Sequence, residues 1–161
     1  MPRLFGAKLR YVRESSHLTQ GQLAERLGIL QSHISHLEAG RKNPLINFVL
    51  GVAHMFLITT DYLLYDSIAV EALNGNLQPA PLTPLIYPSL IGQKVRYLRT
   101  QRQLQQGELA EVLQLRTQAF ISLLETGQKQ PSTLLLIRMA EFFDVTTDYL
   151  LHDEIAVDVT P

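Results

Sequence analysis

The sequence predicts an all-α fold in which one small five-helix domain occurs twice. Residues 5–27 and 91–113 are identical at 12 of 23 aligned positions, without a gap. The hexapeptide TTDYLL then recurs at 59–64 and 146–151. A repeat of about 86 residues is too long for a solenoid unit, so it indicates two tandem domains. Within each copy the apolar residues follow helical spacing, and no segment shows the strict alternation of a long strand.

The repeat divides the chain into copy one (residues 1–71), a Pro-rich linker (72–90) and copy two (91–161). Prolines at 79, 81, 84 and 88 exclude a regular helix in the linker. The linker also carries Leu82, Leu85, Ile86 and Tyr87, more apolar surface than a free linker usually has. We therefore expect it to be extended and partly packed on a domain.

Local signals place the first two helices of copy one. The first is expected over Gly6–Glu14, with Leu9 and Val12 on its apolar side. Thr19 followed by Gln22 resembles a capping box, which starts a second helix at Gln20. That helix is expected to run to Leu27 and to end at Gly28.

The remaining helices follow from caps and stops. A third helix is expected from Gln31 to Glu38. Asn43 as N-cap and Pro44 at the first helical position predict a fourth, to Phe56. Thr59 is expected to cap a short fifth helix through Leu64. The same marks recur in copy two at Gly107, Gly127, Pro131 and Thr146, and an IAV tripeptide, either a small strand or an apolar plug, follows at 68–70 and 155–157.

Composition excludes several classes of protein. The chain has no cysteine, so disulfides and thiolate metal sites are ruled out. No apolar run approaches the length needed to cross a bilayer, and the first residues lack a signal core, so we expect a cytoplasmic protein that does not enter the membrane. No Gly-rich phosphate loop or nucleophile signature is present, which argues against an enzyme and against a cofactor.

The formal net charge is −1, yet basic residues cluster at matching places in the two copies. Copy one has seven Lys and Arg against six Asp and Glu, and copy two has seven against nine. The clusters comprise Lys8, Arg10 and Arg13 in copy one and Lys94, Arg96 and Arg99 in copy two. We expect one face of each copy to be positive although the sum is not.

Two short helices separated by a tight turn form the helix-turn-helix layout. The residues from Thr19 to Gly40 resemble those of the Cro/C1-type (lambda-repressor-like, XRE) helix-turn-helix family. Ala24 stands at the small crossing position, Ile29 in the turn, and Leu23, Ile34 and Leu37 in the core. The resemblance covers residues 5–65 and 91–152. It implies a DNA-binding domain whose third helix lies in the major groove.

Copy two departs from this pattern by one residue. Leu27 and Ile34 are seven positions apart, whereas Leu113 and Ile121 are eight apart. We place the extra residue in the turn, near Gln114–Arg116, with Thr117 as N-cap and Gln118 matching Gln31.

The resemblance implies that the third helix of copy one reads base edges with the residues near its N-terminus. These are Leu30, Gln31, Ser32, His33, Ser35 and His36. Gln can pair bidentately with adenine, and Ser and His serve as donors or acceptors. The alternative is an ordinary solvated helix face. His33 and His36 also have a metal-ligand spacing, but no third ligand is visible, so we expect no metal site.

Further contacts to the DNA backbone are implied at both ends of the motif. Gln20 and Gln106 begin the second helix of each copy, where the family uses a Gln to bond a phosphate. Arg41 and Lys42 follow the third helix of copy one, and Lys129 stands alone at that place in copy two. Simple helix-start polarity and ordinary exposure are the competing interpretations.

Two arginines are interpreted as structural. In the family, the residue at Arg13 pairs with the Glu that ends the third helix, here Glu38. Copy two keeps both partners as Arg99 and Glu125. Such a pair would join the first helix to the reading helix.

Copy two offers a more apolar face for reading. Its candidate DNA contacts are Thr117, Gln118 and Ala119, followed by Phe120 and Leu123. The last two can touch thymine methyl groups or form a protein interface. The sequence therefore predicts a sequence-specific transcriptional regulator of double-stranded DNA, such as a repressor. The alternative is an antitoxin-like or adaptor subunit whose second copy mediates homodimerisation or binds a partner protein.

Overall fold

The computed structural model describes residues 2–73, 77–80 and 88–158, and within these ranges it contains ten α-helices and no strand. The chain divides into two compact units, Met1–Leu85 and Ile86–Pro161. The prediction of an all-α fold with two tandem helix-turn-helix domains is confirmed. Unit one contains α1 (Phe5–Ser15), α2 (Gln20–Arg26), α3 (Gln31–Glu38), α4 (Ile46–Phe56) and α5 (Thr60–Leu64). Unit two contains α6 (Ile91–Gln101), α7 (Gln106–Val112), α8 (Ala119–Glu125), α9 (Thr133–Phe143) and α10 (Thr147–Leu151).

The start of α4 differs from the prediction. The N-cap is Leu45, which has no side-chain cap, rather than Asn43, and Pro44 lies outside the helix. Pro44 is buried, and the chain stays extended through Leu45 before the helix begins. In unit two the same place is held by Ser132, whose side chain accepts from the amide of Leu135 at 3.2 Å. The buried Pro44 therefore lies in the loop that connects α3 to α4, and the N-cap of α4 is the residue after it.

The start of α8 also differs by one residue. Its N-cap is Gln118, with helical backbone angles (φ −59°, ψ −28°), rather than Thr117. The carbonyl of Thr117 still accepts from the amide of Phe120 at 3.4 Å, so the first turn begins around Thr117 without regular helix geometry.

Each unit is held by one apolar core built from the inward faces of its helices. In unit one its fully buried members include Phe5, Leu9, Val12, Leu23, Ile34, Leu37, Val49, Val52, Met55 and Leu63. In unit two they include Val95, Leu109, Ile121, Leu136, Met139, Ala140 and Leu150. Ala24 and Ala110 are buried where α2 meets α3 and α7 meets α8, as expected of small crossing residues.

The IAV tripeptides are not strands. Val70–Ala72 forms one 3₁₀ turn, and the hydroxyl of Tyr62 donates to the carbonyl of Val70. In unit two the hydroxyl of Tyr149 donates to the carbonyl of Val157 at 2.6 Å. These segments are fixed by a tyrosine of the fifth helix in each unit.

Parts of the segment between the copies contact the units. The amide of Ala80 donates to the carbonyl of Met55 at 2.7 Å, and the hydroxyl of Tyr11 donates to the carbonyl of Leu73 at 2.9 Å. Pro88 is buried, on the side of unit two. The predicted packing of Leu82, Leu85, Ile86 and Tyr87 lies outside the described residues. No helix of the described ranges is long and apolar enough to span a membrane.

A glycine allows α1 to cross the end of α3 closely. A Cβ added at Gly6 would lie 2.5 Å from the carbonyl oxygen of Glu38 and 2.7 Å from that of Leu37. Gly92 approaches the carbonyl of Leu124 in the same way. Because backbone atoms form the contact, no side-chain movement relieves it, and the position requires glycine.

Candidate nucleic-acid interface

The turn between α2 and α3 is built from local backbone signals. The amide of Gln22 donates to Thr19 Oγ1 at 3.2 Å, and the amide of Thr19 donates to Gln22 Oε1 at 2.8 Å, which completes the capping box. Gly28 then adopts φ +65°, a left-handed angle that glycine takes without strain. The amide of Ile29 donates back to the carbonyl of Ala24 at 3.0 Å, so α3 starts in a fixed direction.

The outer face of α3 is presented to solvent. Gln31 and Ser32 are exposed, and Leu30 in front of them is 76% exposed. Ser35 and His36 are half-buried on the same helix. Ile34 and Leu37 point into the core, which leaves the predicted reading residues on the opposite side.

His33 takes a different position from its neighbours. It is half-buried, and its ring centroid lies 6.1 Å from that of Phe48 in α4. Part of its surface is therefore used between α3 and α4, and less of it is available for a base than of Gln31 or Ser32.

A buried ion pair joins α1 to the end of α3. Arg13 Nε lies 2.6 Å from Glu38 Oε1, and Arg13 Nη2 lies 3.1 Å from Glu38 Oε2. The Glu38 side chain is only 1% exposed. Gln20 Nε2 donates to Glu38 Oε2 at 2.9 Å, so the Gln predicted to touch phosphate also braces this carboxylate. Arg10, which the sequence did not assign to this pair, adds a longer contact of 3.4 Å.

The environment keeps Glu38 ionised. Burial alone would raise its pKa, but hydrogen bonds from Arg13 and Gln20 and the charges of Arg13 and Arg10 outweigh that effect, and the pKa lies below its usual value. The Glu38 hydrogen bond in turn raises the pKa of Arg13 against the effect of burial. The two groups remain charged and paired at neutral pH.

Copy two repeats this arrangement. Arg99 Nε lies 2.6 Å from Glu125 Oε1, and Gln106 Nε2 donates to Glu125 Oε2 at 2.9 Å. The hydrogen bond that Arg99 donates to Glu125 raises the pKa of Arg99. In both copies, therefore, the structure brings together the Arg, the Glu and the Gln that the sequence singled out.

The residues after α3 and α8 differ between the copies. Arg41 and Lys42 are exposed beyond the end of α3. In copy two, Lys129 Nζ lies 4.9 Å from the ring centroid of Phe120, as a cation–π contact. Thr117, Gln118 and Ala119 are exposed. The lysine thus covers part of the aromatic ring of Phe120, while Leu123 remains 37% exposed on α8.

Comparisons with known proteins agree with this geometry. A helix-turn-helix domain profile matches residues 4–56, and a second helix-turn-helix profile matches residues 95–150. The chain is 35% identical over 65 residues to the uncharacterized HTH-type transcriptional regulator y4dJ of Sinorhizobium fredii, a match that covers 37% of this chain and 84% of that protein. The chain belongs to the Cro/C1-type helix-turn-helix family.

A second relative supports the assignment. The chain is 33% identical over 61 residues to the uncharacterized HTH-type transcriptional regulator YobD of Bacillus subtilis. That match covers 38% of this chain and only 54% of YobD. No solved structure matches the chain significantly.

Two of the lysines that were predicted to form a positive face are not on the surface. Lys8 and Lys94 are fully buried, and Lys8 Nζ donates to the carbonyls of Tyr62 and Tyr65, each at 2.6 Å. Lys94 makes the same contacts to Tyr149 and His152. These lysines satisfy the free carbonyls at the end of the fifth helix of each copy, so they are unavailable to DNA. Burial lowers the pKa of both lysines, although nearby carboxylates oppose the shift.

One signal in the sequence could have located these lysines. Lys8 is three residues after Phe5 and four before Val12, on the apolar stripe of α1 rather than on its polar side. Arg13 is also buried, whereas Arg10 is exposed. The basic surface of copy one therefore comes from fewer residues than the sequence predicted.

A second pair of contacts was missed altogether. Asp66 Oδ2 accepts from the amide of Arg3, and Asp66 Oδ1 accepts from the amide of Leu4, each at 2.8 Å. Asp153 accepts from the amides of Ser89 and Leu90 in copy two. In each copy this carboxylate holds the start of the first helix against the segment after the fifth. Among the described residues no cluster of His, Cys, Asp or Glu could hold a metal ion.

The Arg13–Glu38 pair predicts a pH-dependent contribution to stability. Glu38→Gln should lower the free energy of unfolding by about 1–3 kcal/mol at pH 7, because Arg13 loses a charged partner. The pKa of Glu38 is lowered in the folded protein, so its contribution is complete above the usual value of 4.5 and is lost as the pH falls below that value. Urea unfolding of the full chain, followed by circular dichroism from pH 7 to pH 2, measures the effect.

Glu25→Gln is the matched control, since Glu25 is an exposed acid on α2. It should leave stability nearly unchanged at every pH. The account of the pair is wrong if Glu38→Gln unfolds at the wild-type urea concentration at pH 7, or if its deficit remains undiminished at the lowest pH.

Proposed function

We propose that this chain is a sequence-specific, DNA-binding transcriptional regulator that reads the major groove with α3 of copy one and with α8 of copy two. The observation that carries the proposal is the exposed outer face of α3, with Gln31 and Ser32 at its start. A helix of this kind enters the groove with its N-terminal residues towards base edges. The family membership of both copies supports the same role.

The side chains on and around α3 have two proposed roles, contact with bases and contact with phosphates. Gln31 has the amide group that pairs bidentately with adenine, and Ser32 and His36 offer hydrogen-bonding groups beside it. Arg41 and Lys42 lie beyond the end of the helix, exposed, where they meet the phosphate backbone. Gln20, bonded to Glu38, is half-buried at the start of α2 and completes the backbone contact.

The mechanism we propose is occupancy. Bound protein blocks access to the DNA as a repressor does, in the cytoplasm, with no catalytic step and no cofactor. The covalent link between two DNA-binding copies raises the effective concentration of the second copy once the first has bound. This arrangement allows one chain to do what a dimer of single-domain regulators does.

A second candidate function has a specific observation in its favour. Three positions that are polar in copy one are exposed and apolar in copy two. Val112 replaces Arg26 and is 48% exposed, Leu134 replaces Asn47 and is 43% exposed, and Leu123 replaces His36. Such residues fit an adaptor or antitoxin-like subunit, in which copy two binds a protein or a second chain. The cation of Lys129 over Phe120 argues for DNA instead.

The reading role of α3 predicts different effects for two kinds of substitution. Sites selected from random DNA by the full chain supply the probe duplex. On it, Gln31→Ala and His36→Ala should each weaken binding by about 1–3 kcal/mol and relax preference at one base pair. Lys42→Ala should weaken all sequences alike and reduce the salt slope by about one unit. An unchanged sequence preference in the Gln31/His36 double variant contradicts the proposal.

The two copies, produced separately, discriminate between the two candidates. Fragments 1–80 and 88–161 keep the contacts of Leu73, Ala80, Ser89 and Leu90 with their units. Each fragment should bind the selected DNA far more weakly than the full chain, because linkage is lost. Fragment 1–80 should retain a sequence preference, and 88–161 should remain monomeric by light scattering. Self-association of 88–161, with no DNA binding by it, would favour the adaptor.

A further inference from the structure

The turn before α8 contains one residue that the turn before α3 lacks, and the structure identifies which. Gln114, at φ +55°, stands where Gly28 stands at φ +65°. The next residue is also equivalent, since the amide of Leu115 donates to Ala110 at 2.8 Å as that of Ile29 donates to Ala24. The two copies are therefore in register up to Leu115.

The register resumes at Thr117. Its carbonyl accepts from Phe120 as the carbonyl of Leu30 accepts from His33. Gln118 Oε1 lies 3.3 Å from the Cβ position of Gly107, and Gln31 Oε1 lies 3.9 Å from that of Gly21. The inserted residue is consequently Arg116.

Arg116 is an unused cation next to the reading helix. It is exposed and makes no hydrogen bond or ion pair with any other residue that the structure describes. Two other cations of copy two are engaged: Arg102 donates to the carbonyl of Phe142 at 2.5 Å, and Arg99 pairs with Glu125. Arg96 and Arg138 are exposed as well, but they lie on α6 and α9 and not in the turn before α8.

The charges around the two reading helices are arranged differently. Copy one has exposed Arg26 at the end of α2, no cation in the turn before α3, and two cations, Arg41 and Lys42, after α3. Copy two has Arg116 before α8 and Lys129 after it. A helix inserted in the major groove is flanked by phosphates on both walls, and the turn leads into its N-terminal end, which is the end that meets the DNA. Copy two thus has fewer cations around its third helix than copy one, but one of them, Arg116, lies in the turn, where copy one has none.

We infer that Arg116 is a DNA phosphate contact specific to copy two, which fixes α8 on the groove wall where copy one has no equivalent cation. This inference rests on the proposed function and assigns copy two an active part in it. The planar guanidinium matches a phosphate through two parallel hydrogen bonds, which a lysine at the same place provides only as a point charge. The contact adds affinity without reading sequence.

The test uses the full chain and the duplex selected by the wild-type protein, with binding measured by fluorescence anisotropy over a range of salt concentrations. Arg116→Gln should weaken binding roughly 3- to 10-fold near physiological salt and reduce the salt slope by about one unit. Arg116→Lys should keep the wild-type salt slope, since the charge is kept, and should lose only part of the affinity, since the two parallel hydrogen bonds are lost. Preference among sequences should not change in either variant. Thermal unfolding by circular dichroism should match wild type.

Arg138→Gln is the matched control, because it removes one exposed arginine from α9 of the same copy. Its effect should be smaller, because Arg138 lies on α9, outside the turn and the helix that the proposal places against the DNA. Equal effects of Arg116→Gln and Arg138→Gln, or wild-type affinity and slope in Arg116→Gln, overturn the inference. A loss confined to one base pair overturns the phosphate assignment. If the wild-type chain selects no duplex, the proposed function itself fails first.

Discussion

The positions of α3 and α8 each depend on one buried arginine. Arg13 pairs with Glu38 at the end of α3 and, through Nη1, donates to the carbonyl of Leu18 at 2.9 Å in the loop before α2. One guanidinium thereby fixes α1, the α1–α2 loop and α3. Gln20 completes the link from α2 to the same carboxylate. A planar group with donors in fixed directions can make these contacts together, which is why lysine is no substitute here.

This frame of buried contacts between the first three helices is the same in both copies, whereas the surface around the third helix differs between them. Arg99 repeats the contacts of Arg13, with its Nη1 2.7 Å from the carbonyl of Leu104. The buried lysine at the fifth helix is repeated as well. By contrast, the outer residues of α3 and α8, the turns before them and the loops after them differ. If both copies bind DNA as proposed, the shared frame predicts that they dock alike, and the different surfaces predict that they recognise different sequences.

Local signals in the sequence were sufficient for much of the fold. The capping box at Thr19 and the cap at Thr59 are each made with a residue three positions away, and both helices begin where predicted. The predicted start of α4 was wrong because the burial of Pro44 is a tertiary effect, which local signals in the sequence do not show. Charge was misjudged for the same reason: a formal count treats Lys8 as surface, although its side chain ends on carbonyls more than fifty residues away in the chain.

The candidate site was predictable in its members and less so in its geometry. The family motif placed Gln31, Ser32 and His36 outside the core, where the structure has them. The sequence alone did not reveal the ring contact between His33 and Phe48 or the cation–π contact between Lys129 and Phe120. Both contacts join residues of different elements, and each depends on rotamers that only the packed structure selects.

The most direct test of the reading role uses the absence of cysteine from this chain. A single introduced cysteine can carry a DNA-cleaving reagent at one chosen place. On the selected duplex, reagent attached through Ser32→Cys should cut within the recognised base pairs, and reagent attached through Ala69→Cys, beyond α5, should cut weakly and without a preferred position. Localised cutting from Ala69 that equals or exceeds cutting from Ser32 would contradict the account, because α3 would then not be the element in the groove.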